Sequence, residues 1–392
     1  MNCNCFFSRI KLLLYKDMKE PAKSAKSPPK ILEVNKLYWP WLGGVETHVK
    51  QISEQLIKVG YPLRVLCCNT RFKTEIEDCQ GVPVTRVSSF GIFFSMPVSF
   101  SFFLLLRKQK ADFLHIHLPN PLAVLAYCVM RPRGKLIVTW HSDIIRQRLF
   151  KWLFHPILMA FLKKADVIIA TSPRLIEHTR YLQRFKEKSI SIPLALNPKL
   201  YQRTQELDQQ ISEITNKYGK FVLFIGRLVY YKGVNVLLDA MRDTEIKVVM
   251  IGKGPLQSQV NQYSHRYLLK NQLTVLPPQS FETLKAFLFA SAFFVLPSVC
   301  ASEAFGIVQL EAMICKKAVI STDLPTGVPF VNEHLKTGIV VQPSNSNKLR
   351  AALMNLWNNP SLANQMGDAG YERVKTMFTE EQMIQSLTRI FK

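Results

Sequence analysis

Residues 30–68 read KILEVNKLYWPWLGGVETHVKQISEQLIKVGYPLRVLCC. Ile31–Val34 is an apolar run of strand length, Trp41–Gly44 a glycine loop, and Val45–Val59 a helical pattern closed by Gly60. Leu63–Cys68 is the next strand. Short apolar runs alternating with longer amphipathic ones are the signature of a doubly wound sheet. Outward from this unit the pattern continues through Asp112–His117, Lys135–Trp140 and Asp166–Thr171, each followed by a helical stretch. Near residues 190–198 the chain turns through two prolines and an Asn, and the polar residues 201–219 suit a linker helix. A second cycle then runs through Phe221–Ile225, the helix Val234–Met241, Lys247–Ile251, Leu273–Leu276, Phe293–Leu296 and Ala318–Ser321. The expectation is an α/β chain of two doubly wound parallel-sheet domains, 30–200 and 201–378. Thr379–Phe391 forms an amphipathic helix able to cross back onto the first domain. Ligands of such sheets bind outside the carboxyl ends of the strands.

The 392 residues suit two such cores. The formal net charge of +23 is uneven: residues 1–200 hold 31 Lys and Arg against 13 Asp and Glu, residues 201–392 hold 20 against 15. A basic first half faces something anionic. No helix-turn-helix, RNA-binding or zinc signature supports nucleic acid, so the expected partner is an anionic membrane surface. Ile144–Lys164 adds Arg146, Arg148, Lys151, Lys163 and Lys164 to Trp152, Leu153 and Phe161, the mixture of an interfacial helix broken near Pro156. The eight cysteines show no metal-ligand spacing and fit a reducing cytosol. Residues 1–29 read as a mobile basic leader without a secretory signal. Val87–Leu106 carries no charge over 20 residues, long enough to span a bilayer, but Gly91, Pro97 and five serines argue for a loop and helix.

The chemistry concentrates in the second half. Pro297–Met313 holds two carboxylates eight apart, Glu303 and Glu311, with Gly306 at a loop-to-helix junction whose free N–H groups suit a diphosphate or a sugar hydroxyl. Upstream, Phe224–Gly233 places Arg227 and Lys232 just past a strand end, an arginine fork and a lysine charge able to neutralise two phosphates. A third loop, Gly252-Lys253-Gly254-Pro255, also follows a strand. In the first half His141 closes a strand in Trp140-His141-Ser142-Asp143. His115 and His117 alternate along another and read as structural, one on each side.

These segments resemble the retaining GT-B glycosyltransferases, the group 1 or family 4 type that includes bacterial surface-polysaccharide and lipid mannosyltransferases and sucrose synthase. The resemblance runs from about Lys30 to the C-terminus. It rests on Glu303/Glu311 as an E-x7-E pair, on Gly226-Arg227-Leu228 with Lys232-Gly233, on Gly43-Gly44-Val45-Glu46, and on Trp140–Asp143. It implies two Rossmann-like domains facing a cleft. Arg227 and Lys232 would bind the donor diphosphate and Glu311 the nucleotide ribose. Glu303 would contact the transferred sugar, with backbone groups at Phe305, Gly306 and Ile307. Gly43, Gly44 and Gly252 would let backbone approach the donor, and His141 would lie beside the sugar. Two departures stand out. Where the family has glycine and then proline before the next strand, this chain has Lys316 and Ala318, and the following loop reads Pro325-Thr326-Gly327-Val328-Pro329.

The resemblance implies a hexosyltransferase that retains configuration and takes a nucleotide-sugar as substrate, with GDP-mannose the first candidate. A lipid-linked or glycan acceptor and a peripheral place on the cytoplasmic membrane face complete the expectation. No Asp-x-Asp occurs, so neither metal nor cofactor is expected. A nucleotide-sugar epimerase on the same scaffold is the alternative. A dinucleotide oxidoreductase is disfavoured, because no G-x-G-x-x-G follows the first strand.

Overall fold

The structure, a computed structural model, describes residues 27–392 except 42, 94–95, 143–147 and 268–270. Most of the leader, and with it Asp143 and Arg146, therefore lies outside the described residues. One sheet is built from β1 (Ile31–Val34), β2 (Leu63–Cys68), β3 (Glu75–Cys79), β4 (Val82–Val87), β7 (Phe113–Leu118), β8 (Lys135–Trp140), β9 (Val167–Ala170) and β10 (Ser189–Ser191). Its order is β10-β9-β8-β7-β1-β2-β4-β3, and only β3 runs antiparallel to its neighbour. The second sheet uses β11 (Val222–Ile225), β12 (Val248–Ile251), β13 (Leu273–Leu276), β14 (Phe293–Val295), β15 (Val319–Thr322) and β16 (Gly338–Val341), all parallel, in the order β13-β12-β11-β14-β15-β16. The central strands of the second sheet are apolar on both faces because helices cover both, so they read as unbroken hydrophobic runs.

In each sheet the chain lays down a first strand, builds one way, then returns to build the other. The switch falls between β1 and β7 in the first sheet and between β11 and β14 in the second. These are the places where the loops at the carboxyl ends diverge and leave a crevice.

The chain crosses between halves twice, and the two crossings touch. Leu196 N donates to Phe378 O at 3.0 Å and Glu380 N to Leu196 O at 3.1 Å. The helix Glu380–Ile390 follows, started by a Thr379/Gln382 capping box. It buries Met383, Ile384 and Leu387, followed by Phe391, against Ile31, Val49, Ile52 and Leu56 of the first half.

No helix among the described residues is long and apolar enough to cross a membrane. Val87–Leu106 divides into the end of β4, a hairpin of β5 (Ile92–Phe93) and β6 (Met96–Pro97), and the front of the helix Ser101–Lys108. Phe102 and Leu106 are buried, whereas Phe100 and Leu104 stay exposed. The turn lacking the family glycine is made by Lys316 itself, at φ +59°. A β-carbon is disfavoured in that left-handed conformation. The turn is pinned from outside, since Lys316 O lies where a β-carbon on Gly367 would stand, 2.1 Å away.

Candidate active site

Arg227 follows β11 and Lys232 closes a short 3-10 turn, Tyr230–Lys232. Glu303 lies in the loop after β14. The two loops are locked together at the switch point. Val299 N donates to Tyr231 O at 2.8 Å, and a β-carbon on Gly233 would sit 1.8 Å from Pro297 O. Lys232 Nζ thereby meets Glu303 Oε2 at 2.5 Å, and the Ser298 hydroxyl donates to the same oxygen at 3.0 Å. Arg227 stays exposed, with Nη2 donating to the Tyr231 hydroxyl at 3.2 Å.

Phe305, Gly306 and Ile307 lead into the helix Val308–Ile314. Gly306 sits at φ +71°, where a β-carbon would also press within 2.6 Å of Leu296. No backbone acceptor among the described residues takes the N–H of Gly306, Ile307 or Val308, which leaves a set of free donors. Glu311 lies in the first turn of this helix beside Tyr201. Part of its surface is open, yet burial of the carboxyl raises its pKa, against the lowering effects of Tyr201 and Lys232. Burial, and then the Glu311 charge, push the Tyr201 hydroxyl up in turn. The sequence did not mark Tyr201, because nothing in its linker context pairs it with Glu311. Gly252 is used for packing: a β-carbon there would stand 1.9 Å from Gly226 O. The Pro325–Pro329 loop props the site from behind, with Gly327 N donating to Ala304 O at 2.7 Å.

In the first half Gly44 opens the helix Gly44–Lys58, with nothing within 4 Å of its missing β-carbon. Gly43 is extended and faces Glu46. His141 follows β8 and is 5% exposed. It belongs to a buried cluster that the sequence reading missed. Glu33, in the middle of β1 and fully buried, joins His115 Nδ1 through Oε1 at 2.9 Å and His117 Nε2 through Oε2 at 2.8 Å. His117 Nδ1 then meets His141 Nε2 at 3.0 Å, and His48 packs edge-on against His141 at 5.2 Å. The expectation that His115 and His117 face opposite sides is thus wrong. Side chains alternate with a period of two, so residues two apart share a face. Glu33, His115 and His117 have the donor types of a metal site, but the atoms they turn to one another are already hydrogen-bonded.

Burial pushes the Glu33 carboxyl up, but His115 and His117 outweigh it and leave its pKa at about 2. Burial, reinforced by His115, lowers His117 to about 4 against the pull of Glu33. Burial and then His117 take His48 to about 3. Burial, with His48, His117, His115 and Lys36 adding to it, drives His141 well below the ordinary imidazole value. All three of these histidines are neutral at pH 7.

Residues 42–199 match the Glycosyltransferase Family 4 domain, and residues 205–373 match Glycosyl transferases group 1. Over 341 residues the chain is 33% identical to D-rhamnosyltransferase WbpZ of Pseudomonas aeruginosa, covering 86% of this chain and 89% of that protein. The chain belongs to the family 4, group 1 glycosyltransferases. It is also 29% identical to O-antigen chain mannosyltransferase C of Escherichia coli over 367 residues, 92% of this chain and 98% of that one. The fold is GT-B. It matches sucrose-phosphate synthase of Thermosynechococcus elongatus with a TM-score of 0.76 at 20% identity, covering 93% and 98% of the two chains. The Anabaena protein HepE, solved with UDP, matches with a TM-score of 0.73 at 17% identity, covering 92% and 99%. Neither of these two curated relatives carries an epimerase name.

Proposed function

We propose that this glycosyltransferase moves a hexose, mannose from GDP-mannose in the first instance, to a lipid-linked or glycan acceptor of a surface polysaccharide. The observation that carries this reading is the meeting of Lys232 and Glu303 at the β11/β14 switch point, with exposed Arg227 beside them. Fixed cations and unpaired N–H groups there oppose the charge that develops on a departing nucleotide diphosphate, and they need no reorganisation to do so. Glu311 takes the ribose, and His141 stands at the first-half wall by the sugar. Transfer proceeds with retention: the acceptor hydroxyl attacks from the leaving-group face, and its proton passes to the departing phosphate oxygen. Arg227 and Lys232 supply the positive charge, so the reaction runs without a metal. Mannose is favoured by the two relatives, a mannosyltransferase and a rhamnosyltransferase.

A thermal-shift panel of GDP-, UDP-, ADP- and dTDP-sugars tests the donor. A ligand at 100 times its Kd adds about 2.7 kcal/mol, several degrees in Tm. GDP-mannose should give the largest shift and a transferred α-mannose, in excess EDTA as well as without it. A larger shift from another nucleotide, an inverted product, or activity lost to EDTA and restored by magnesium or manganese overturns the corresponding part.

A second observation favours an anionic membrane as partner. At the amino edge of the first sheet a cavity of about 1350 Å³ has eight Lys or Arg among its fifteen lining residues, Arg107, Lys108, Arg131 and Arg133 among them, and one acid, Asp112. Exposed Leu104, Leu125 and Val129 lie on the helices that end there. Cations beside solvent-facing apolar side chains suit an interface of anionic lipid, at about 1 kcal/mol per cation. This surface is better supported than the Ile144–Lys164 segment, where the described exposed residues are Trp152, His155, Pro156, Ala160, Lys163 and Lys164. Wild type should sediment with vesicles containing anionic lipid and not with neutral ones. Replacing Arg107, Arg131 and Arg133 with Ser should release it, and sedimentation unchanged by that substitution refutes the surface.

A further inference from the structure

An ionised carboxylate can only accept hydrogen bonds, so the two ring nitrogens that face Glu33 must each carry a proton. His115 therefore presents Nδ1–H to Oε1, and His117 presents Nε2–H to Oε2. A neutral imidazole has a single N–H. His117 Nδ1 is consequently a lone pair, and the contact at 3.0 Å requires His141 to donate from Nε2. His141 Nδ1 is then left without a proton, and no protein group among the described residues bonds to it.

We propose that Glu33 and His117 are positioning residues that hold His141 in one tautomer, so that it offers the cleft an unprotonated Nδ1. The group that meets His141 must then donate a hydrogen bond: a sugar hydroxyl satisfies it, while a phosphate or carbonyl oxygen in that place is repelled. The inference rests on reading His141 as a wall of the sugar site. It assigns a purpose to an acid buried completely in the central strand of a sheet, where an apolar residue would be the cheaper choice. His115 completes the clamp from the other oxygen, with its Nε2 held by the Thr139 hydroxyl at 2.6 Å. His48, which packs against both His117 and His141, supplies ring surface, and its buried Nδ1 has no partner.

Long-range proton–nitrogen correlation spectra of the full chain labelled at histidine read the tautomers directly. At pH 7 we expect His141 and His117 as Nε2–H and His115 with a proton on Nδ1. An Nδ1–H or doubly protonated His141 overturns the proposal, whether or not any sugar is transferred. Kinetics with whichever nucleotide-sugar supports turnover give the functional half. His117→Phe keeps the ring but removes the acceptor, and it should raise the donor KM about tenfold while changing kcat less than threefold. A purely structural role would lower the active fraction, hence kcat, and leave KM alone. Glu33→Leu should behave as His117→Phe does. Glu33→Gln should recover most of that loss, because its carbonyl can still accept from His117 while its amide donates to His115 Nδ1, whose ring then carries its proton on Nε2 toward the Thr139 hydroxyl. A Gln variant no better than Leu refutes the clamp. If the wild type uses no sugar donor at all, the functional reading fails and the spectra alone decide the tautomer.

Discussion

Lowering the pH from 7 to 5 should weaken the first half of the molecule far more than the second. His48, His117 and His141 are buried and neutral, with pKa values below the unfolded value of 6.5. Their contribution is intact above pH 6.5. It falls below that, because the unfolded chain takes up protons that the folded one refuses. At pH 5 the folded values of about 3 for His48 and about 4 for His117 have not been reached. Each of these two therefore costs about 2 kcal/mol there, at 1.36 kcal/mol per pH unit, and His141 adds a loss of the same sign. Against a typical total of 5–15 kcal/mol this is a large fraction. Glu33, at about 2, does not begin to lose its own contribution until the pH falls below 4.5. Urea melts at pH 7, 6 and 5 followed by tryptophan fluorescence suit the question, since four of the five tryptophans lie in the first half. The midpoint should drop by about 1–2 M over this range, given slopes of a few kcal/mol per molar. His48→Leu should remove about 2 kcal/mol of the pH dependence at pH 5. A midpoint that is flat from pH 7 to 5, or a slope unaltered in His48→Leu, refutes the account.

Lys232→Ala and Glu311→Ala should each cost about 100-fold or more in kcat/KM, from roughly 3 kcal/mol of charged hydrogen bonding, with little change in melting; full activity in either removes it from the site. Lys316→Gly relieves the left-handed strain at φ +59°, and after the extra chain entropy of glycine it should stabilise by up to about 1 kcal/mol in a chemical melt. Gly327→Ala would place a methyl 2.7 Å from the Phe305 ring, so turnover should fall as that loop shifts, and unchanged kinetics would show that the loop does not need this support. Removing residues 380–392 strips Met383, Ile384, Leu387 and Phe391 from the first-half core, a loss of about 6 kcal/mol or more, and calorimetry should show that half melting first.

The parallel strands were legible because burial on both faces leaves uninterrupted runs such as Phe221–Ile225 and Val248–Ile251. β3 was not, since Glu75–Cys79 is an edge strand with most of its side chains in water and three acids in five residues. β10 and β16 are short edge strands whose apolar signal is too brief to stand out. Within the site, the loops after β11 and β14 announced Arg227, Lys232 and Glu303 by residue type. Their contact is a product of strand order, which spacing does not encode. The Glu33 cluster joins positions 82 and 84 apart. One clue to it was present all the same: an acid inside an Ile-Leu-Glu-Val strand of a parallel sheet has to find buried partners.

The return of Glu380–Ile390 to the first half also orders events during synthesis. A ribosome delivers residues 31–196 early, at about 5–20 per second, but the groove formed by Ile31, Val49, Ile52 and Leu56 has no cover until residues 383–391 have been made. For some tens of seconds the nascent first half therefore carries an open apolar slot of its own. Phe378 meets Leu196 where the helix returns, so the slot is covered only after the chain of the second half has been made. In this chain strands and helices made early are thus among the last to be covered.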